Sequence, residues 1–141
     1  MTGDPNWLTR WDYSRPWFHG SPYLIETLLP GSTITQDREL ARIFSHKPQI
    51  VSIEDDPAVL ARGVPRLRHT GTLAGLLYFI DEPLSLQDVF PHPNSSMLPG
   101  LEWLTRRPLC LRLLGPVEIN LAEVLSPEEI DGIMKRMKGM E

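Results

Sequence analysis

The stretch WFHGSP, residues 17–22, ends an aromatic-led run on His19, Gly20 and Ser21. A histidine at the end of a strand is most often a half-buried ring with its nitrogens satisfied. The glycine after it adds a second property, because without a Cβ its N–H and C=O are open to close approach by a ligand. Ser21 adds a hydroxyl. Two carboxylates follow later in the chain. Glu102 opens EWLTRRPLCLRLLG after the Pro99-Gly100 turn, and Asp88 sits in LQDVFPHP. Glu102 reads as a carboxylate placed at a strand start and facing the same cleft as His19, with Asp88 as its rival; the plain alternative is a solvated carboxylate at a sheet edge. Ser32, Thr33 and Thr35 form a short hydroxyl-rich run between them in sequence. Arg106 and Arg107 either cover the sheet rim or meet an anionic ligand.

Other chemistries lack their motifs. The four histidines, His19, His46, His69 and His92, show neither an i,i+4 pair nor HExxH spacing, so no metal site is expected. The single cysteine, Cys110, excludes a disulfide framework within the chain and a multi-cysteine zinc site. It lies in the apolar run LCLRLLG, where an inert core thiol is expected. There is no G-x-S-x-G, no Walker loop and no G-x-G-x-x-G.

Short elements must carry these residues. Residues 1–15 hold Trp7, Trp11 and Tyr13 and read as an irregular aromatic arm before one domain over 16–141. Arg15 to His19 reads as a strand ended by Gly20-Ser21-Pro22. Tyr23 to Leu29 is ambiguous, with one helical turn as an option. Ser32 to Thr35 feeds QDRELARIFSHK, where Leu40, Ala41, Ile43 and Phe44 recur at helical spacing. Thr35 is the expected N-cap, Asp37 and Glu39 suit the positive helix end, and Pro48 stops the helix. Ile50–Ile53 and Leu76–Ile80 read as strands. Residues 55–72 and 84–100 read as long loops. Glu102 to Thr105 opens another strand. Leu109–Leu114 and Val117–Leu121 read as strands separated by Gly115-Pro116, with Val117, Ile119 and Leu121 facing inward. Ser126-Pro127-Glu128-Glu129 is a capping box with proline at the first helical position. It starts a final helix with Ile130, Ile133, Met134 and Met137 as its stripe. Strands outnumber helices without βαβ alternation, so the expected class is α+β.

At 141 residues the chain makes about one domain, burying roughly 70% of its unfolded surface. The net charge of −4 gives no electrostatic reason to expect a nucleic-acid backbone as partner. The apolar runs are too short to span a bilayer, and the start carries no signal-peptide pattern. A cytoplasmic location and no membrane partner are therefore expected, consistent with the lone cysteine.

Taken in order, FHGSP, GSTITQDRELARIFS and EWLTRRPLCLRLLG resemble the three strand motifs of the ADP-ribosyltransferase superfamily, closest in look to its small rifamycin-modifying type. LYFIDEP is similar to that type's Y-I-V-E-P strand, and the similarity spans roughly residues 16–120. The resemblance implies a split, strongly bent β-core with short flanking helices, and NAD as co-substrate. It implies that His19 contacts ribose hydroxyls and that Gly20, beside Ser21, clasps the nicotinamide amide through its backbone. Ser32, Thr33 and Thr35 fall on the strand that lines the nicotinamide pocket. Glu102 matches the glutamate that holds the ribose 2′-hydroxyl, with Asp88 second. Thr33 stands where the rifamycin-modifying type has a tyrosine, so ring stacking passes to Phe44, Tyr78 or Tyr23.

The chemistry explains these residue types. Breaking the nicotinamide–ribose bond builds positive charge on the sugar, as in glycoside cleavage. A carboxylate stabilises that charge, and held hydroxyls and amide fix the reacting groups. The implied activity is transfer of ADP-ribose to a small molecule, protein or nucleic acid. An NAD glycohydrolase toxin and a catalytically silent binding module of the same fold stay open, as do the acceptor and the oligomeric state. Gly100 stands where arginine-modifying toxins carry a second Glu or Gln, which argues against protein arginine as acceptor. The RNA 2′-phosphotransferase branch shares the fold but has a more basic site.

Overall fold

A computed structural model describes residues 12–93 and 100–139. These described residues form nine strands: β1 (Phe18–Ser21), β2 (Thr27–Leu28), β3 (Thr33–Ile34), β4 (Val51–Ile53), β5 (Leu67–His69), β6 (Gly75–Ile80), β7 (Val89–Pro91), β8 (Trp103–Thr105) and β9 (Leu109–Val117). The helices are α1 (Arg38–Phe44), α2 (Pro57–Leu60) and α3 (Pro127–Gly139). All strand pairs are antiparallel, in a sheet ordered β1-β6-β9-β2, a sheet ordered β3-β8-β7 and a β4-β5 ribbon. The class is α+β, as the order of elements predicts.

Trp17 and Phe18, neighbours in sequence, face opposite sides of the first sheet. Trp17 packs with Trp103, Ile34, Ile80 and Leu109, while Phe18 packs with Ala41 of α1 and with Leu77. Trp17 and Trp103 meet edge to face at 5.5 Å. Tyr13, the one aromatic of the expected arm among the described residues, lies against both of them. Trp7 and Trp11 fall outside the described residues.

Several boundaries differ from expectation. Asp37, not Thr35, is the N-cap of α1, accepting from Leu40 N–H at 3.1 Å; Thr35 Oγ1 instead accepts from Asp37 N–H. Tyr23 to Leu29 ends in β2 rather than a helical turn. The expected loop over 55–72 contains α2 and β5, and that over 84–100 contains β7, in its described part. β9 runs unbroken through Gly115 and Pro116. Beyond Val117 the chain leaves the sheet, and Leu121 is 83% exposed at the start of a 3-10 turn. The capping box forms as read: Glu129 N–H donates to Ser126 Oγ, and Ser126 N–H to Glu129 Oε1. On α3, Ile130 and Ile133 are half-buried, whereas Met134 is exposed and the side chain of Met137 is outside the described residues.

Candidate functional site

The two larger sheets meet at one bridge. Phe18 and Thr35 exchange backbone hydrogen bonds of 2.7 and 3.0 Å. Backbone groups alternate along a strand, so the next residues are determined. Ile80 N–H donates to Trp17 C=O, and His19 pairs with Tyr78, so odd-numbered residues of β1 turn to β6. Gly20, like Phe18, turns its N–H and C=O the other way, opposite Thr33. No backbone hydrogen bond joins Gly20 and Thr33, and β1 and β3 part there. A cleft of about 340 Å³ occupies the gap, at the lower end of the range for ligand pockets.

His19 spans the gap with its side chain. Its Nδ1 lies 2.7 Å from the Thr33 carbonyl oxygen. A carbonyl only accepts, so Nδ1 carries the proton and Nε2 is left as an acceptor. Burial holds the imidazole below its ordinary pKa; the bond to Thr33 opposes this, and the charge of Lys47 adds to it. His19 is thus a neutral ring with one lone pair for a hydroxyl donor.

The far wall comes from β3 and β8. Thr33 faces Leu104 and Ile34 faces Trp103, which sets Glu102 one step on, opposite Thr35. Glu102 is half-buried and lines the cleft together with Ser21, Ser32, Thr33 and Thr35. Their hydroxyls are unequally committed. Ser32 donates to Leu29 C=O at 2.6 Å, Ser21 accepts from Tyr23 N–H at 3.1 Å, and Thr35 accepts from Asp37 N–H at 3.0 Å. The Thr33 hydroxyl makes no hydrogen bond within the described residues.

The floor is the end of α1, and two glycines seat it. A Cβ on Gly20 would stand 1.9 Å from Ala41 O, and one on Gly75 1.9 Å from Ser45 Oγ. Gly20 therefore lacks a side chain because the helix backbone packs against it, a reason separate from ligand approach. This close seating brings Phe44, half-buried, and Lys47 to the cleft. Lys47 was missed in the sequence. Its φ is +56°, a conformation usual for glycine or asparagine after a helix and unusual before a proline.

Three expected residues, Tyr78, Asp88 and Tyr23, lie elsewhere. Tyr78 is 1% exposed and lines no part of the cleft; its hydroxyl donates to Tyr23 C=O and accepts from Ile25 N–H. Asp88 is held by Arg107 at 2.8 Å and by Ser85, so Arg107 keeps its carboxyl below the usual range. Arg107 also binds Glu82, and Arg106 lies over the Phe90 ring, so both arginines are engaged at the rim. Tyr23 does not line the cleft, although its ring lies near Lys47 Nζ. Cys110 is exposed rather than in the core, and Glu82 raises its pKa, which disfavours the thiolate. His46 and His69 stack at 5.3 Å in the interior, with Nδ1 of one bound to Leu73 C=O and Nδ1 of the other accepting from Gly71 N–H.

Comparison with protein-family models, curated proteins and solved structures found no match to this chain. The cleft therefore has to be read from its own groups. A backbone donor and acceptor on Gly20 suit a planar primary amide. A neutral imidazole acceptor and a carboxylate suit hydroxyls, and the carboxylate also suits positive charge.

Proposed function

We propose that the chain is an NAD-dependent ADP-ribosyltransferase acting in the His19 cleft. The observation that carries this reading is that His19-Gly20, Thr33, Thr35 and Glu102, distant in sequence, line one opening between two sheets. A nicotinamide carboxamide needs one donor and one acceptor, and Gly20 offers both on one edge. His19 Nε2 accepts from a ribose hydroxyl. Glu102 accepts from the ribose 2′-hydroxyl and stabilises the positive charge that grows as the C–N bond breaks. The bonding pair leaves with nicotinamide. The acceptor forms the new bond to the ribose carbon and releases its proton to solvent; with water as acceptor the same chemistry is NAD hydrolysis. Phe44, one of two phenylalanines that line the cleft with Phe18, replaces the ring absent at Thr33.

A second reading is a module that binds NAD without turnover. Thr33 favours it, because its short side chain fixes no ring plane. Incubation with NAD, with and without acceptors, followed by assay of free nicotinamide, separates the two. Release that falls in Glu102→Gln supports the enzyme. Calorimetric binding with no release supports the module, and no binding removes both.

A further inference from the structure

Two charged side chains line the cleft, Glu102 and Lys47. The other one, Lys47, has no use in the scheme above. Lys47 forms no ion pair among the described residues, a state it shares with Arg15, Arg38, Arg62, Arg106, Arg136 and Lys138, but of these cations it alone lines the cleft. It is exposed, and its Nζ stands 5.8 Å from the centre of the Tyr23 ring, in the turn that leaves β1. Its backbone adopts the left-handed conformation directly before Pro48. Such a conformation is unfavourable for a side-chain residue and concentrates at ligand-holding positions.

We infer that Lys47 holds the diphosphate of the dinucleotide. The inference rests on the NAD reading and adds a subsite to it. Nicotinamide and its ribose occupy Gly20, His19 and Glu102, and the chain of phosphates must leave the cleft past its rim. An unpaired ammonium there neutralises the phosphate charge where it emerges, as a point charge on a flexible stem. The Tyr23 ring face steadies the cation without neutralising it. The positive charge also suits the C-terminal end of α1, a purely structural role that predicts no ligand dependence.

The experiment is calorimetric titration of wild type and Lys47→Gln with ADP-ribose and with nicotinamide riboside, which lacks the diphosphate. Lys47→Gly serves as a second variant, since it relieves the backbone and is expected to melt no lower than wild type. Both variants are expected to bind ADP-ribose about tenfold more weakly or worse, with nicotinamide riboside unchanged. The wild-type affinity for ADP-ribose is also expected to fall with added salt more steeply than that of the variants. Unchanged ADP-ribose affinity in Lys47→Gln overturns the role of Lys47 and leaves the NAD reading standing. Equal losses for both ligands overturn the diphosphate assignment. No binding of NAD or ADP-ribose to wild type overturns both readings.

Discussion

His19 Nδ1 donates to the Thr33 carbonyl at 2.7 Å, across the place where β1 and β3 part company. One residue earlier, Phe18 still bonds Thr35 through the backbone. The imidazole therefore takes over where the ladder ends, and the next backbone pair, on Gly20, is left facing the cleft. In His19→Ala this strut is lost. Stability is expected to fall by about 1 kcal/mol in urea unfolding, and NAD affinity by at least about tenfold in calorimetry. Equal NAD affinity in wild type and His19→Ala contradicts a ligand role for the ring.

Gly20→Ala tests the seating of α1. The added methyl would lie 1.9 Å from Ala41 O, so helix or strand must shift. A loss of about 1–3 kcal/mol or more in denaturant unfolding is expected, together with loss of the cleft. Wild-type stability with weakened binding would show instead that the glycine serves ligand access alone.

The two candidate carboxylates are separable. Glu102→Gln keeps the fold and is expected to lower nicotinamide release by about 100-fold. Asp88→Asn loosens the Arg107 clasp, with a stability cost of no more than about 1 kcal/mol because that pair is partly exposed, and leaves turnover intact. A reversed pattern in the release assay exchanges their roles.

The pH dependence follows from depressed pKa values. Burial lowers both His19 and His69 from 6.5. Above that pH each ring is neutral folded and unfolded, and neither affects stability. As pH falls below 6.5 the unfolded chain gains protons that the folded rings resist, so stability declines until the folded values are passed. NAD affinity is flat above 6.5 and falls only as His19 itself protonates and Nε2 stops accepting. Glu82, Asp88 and Glu129 are depressed from 4.5, 3.8 and 4.5, so a second decline follows as pH drops below that region. Unfolding midpoints measured from pH 8 to 3 should show both steps; a stability that rises between pH 6.5 and 5 contradicts the histidine assignment.

Where the sequence was legible, the signal was local. The helical spacing in RELARIF and the capping box at Ser126 each depend on a few adjacent residues, and each forms, whereas the strand read as ending at Gly20 runs on to Ser21. Longer-range partners were hidden. β5 and β7 are three residues each, too short to show alternation, and exist because β4 and β8 pair with them. Pro116 does not break β9, since β2 covers only Leu109 and Cys110 and leaves that side of the strand without a neighbour to bond. Cys110, which β2 does cover along the edge, is exposed for another reason: an apolar run suggested two buried faces, but the sheet turns one to solvent. Tyr78 was expected in the cleft for its ring, yet its hydroxyl ties down Tyr23 and Ile25 beneath the sheet. Lys47 carried no pattern in the sequence, because its position depends on the two glycines that seat α1.

A crystal structure of the chain soaked with NAD tests the central claim most directly. The account predicts the nicotinamide carboxamide within about 3 Å of both Gly20 N and Gly20 O, with a ribose hydroxyl on His19 Nε2. A dinucleotide bound outside the gap between β1 and β3, or a cleft that stays empty at saturating NAD, would contradict it.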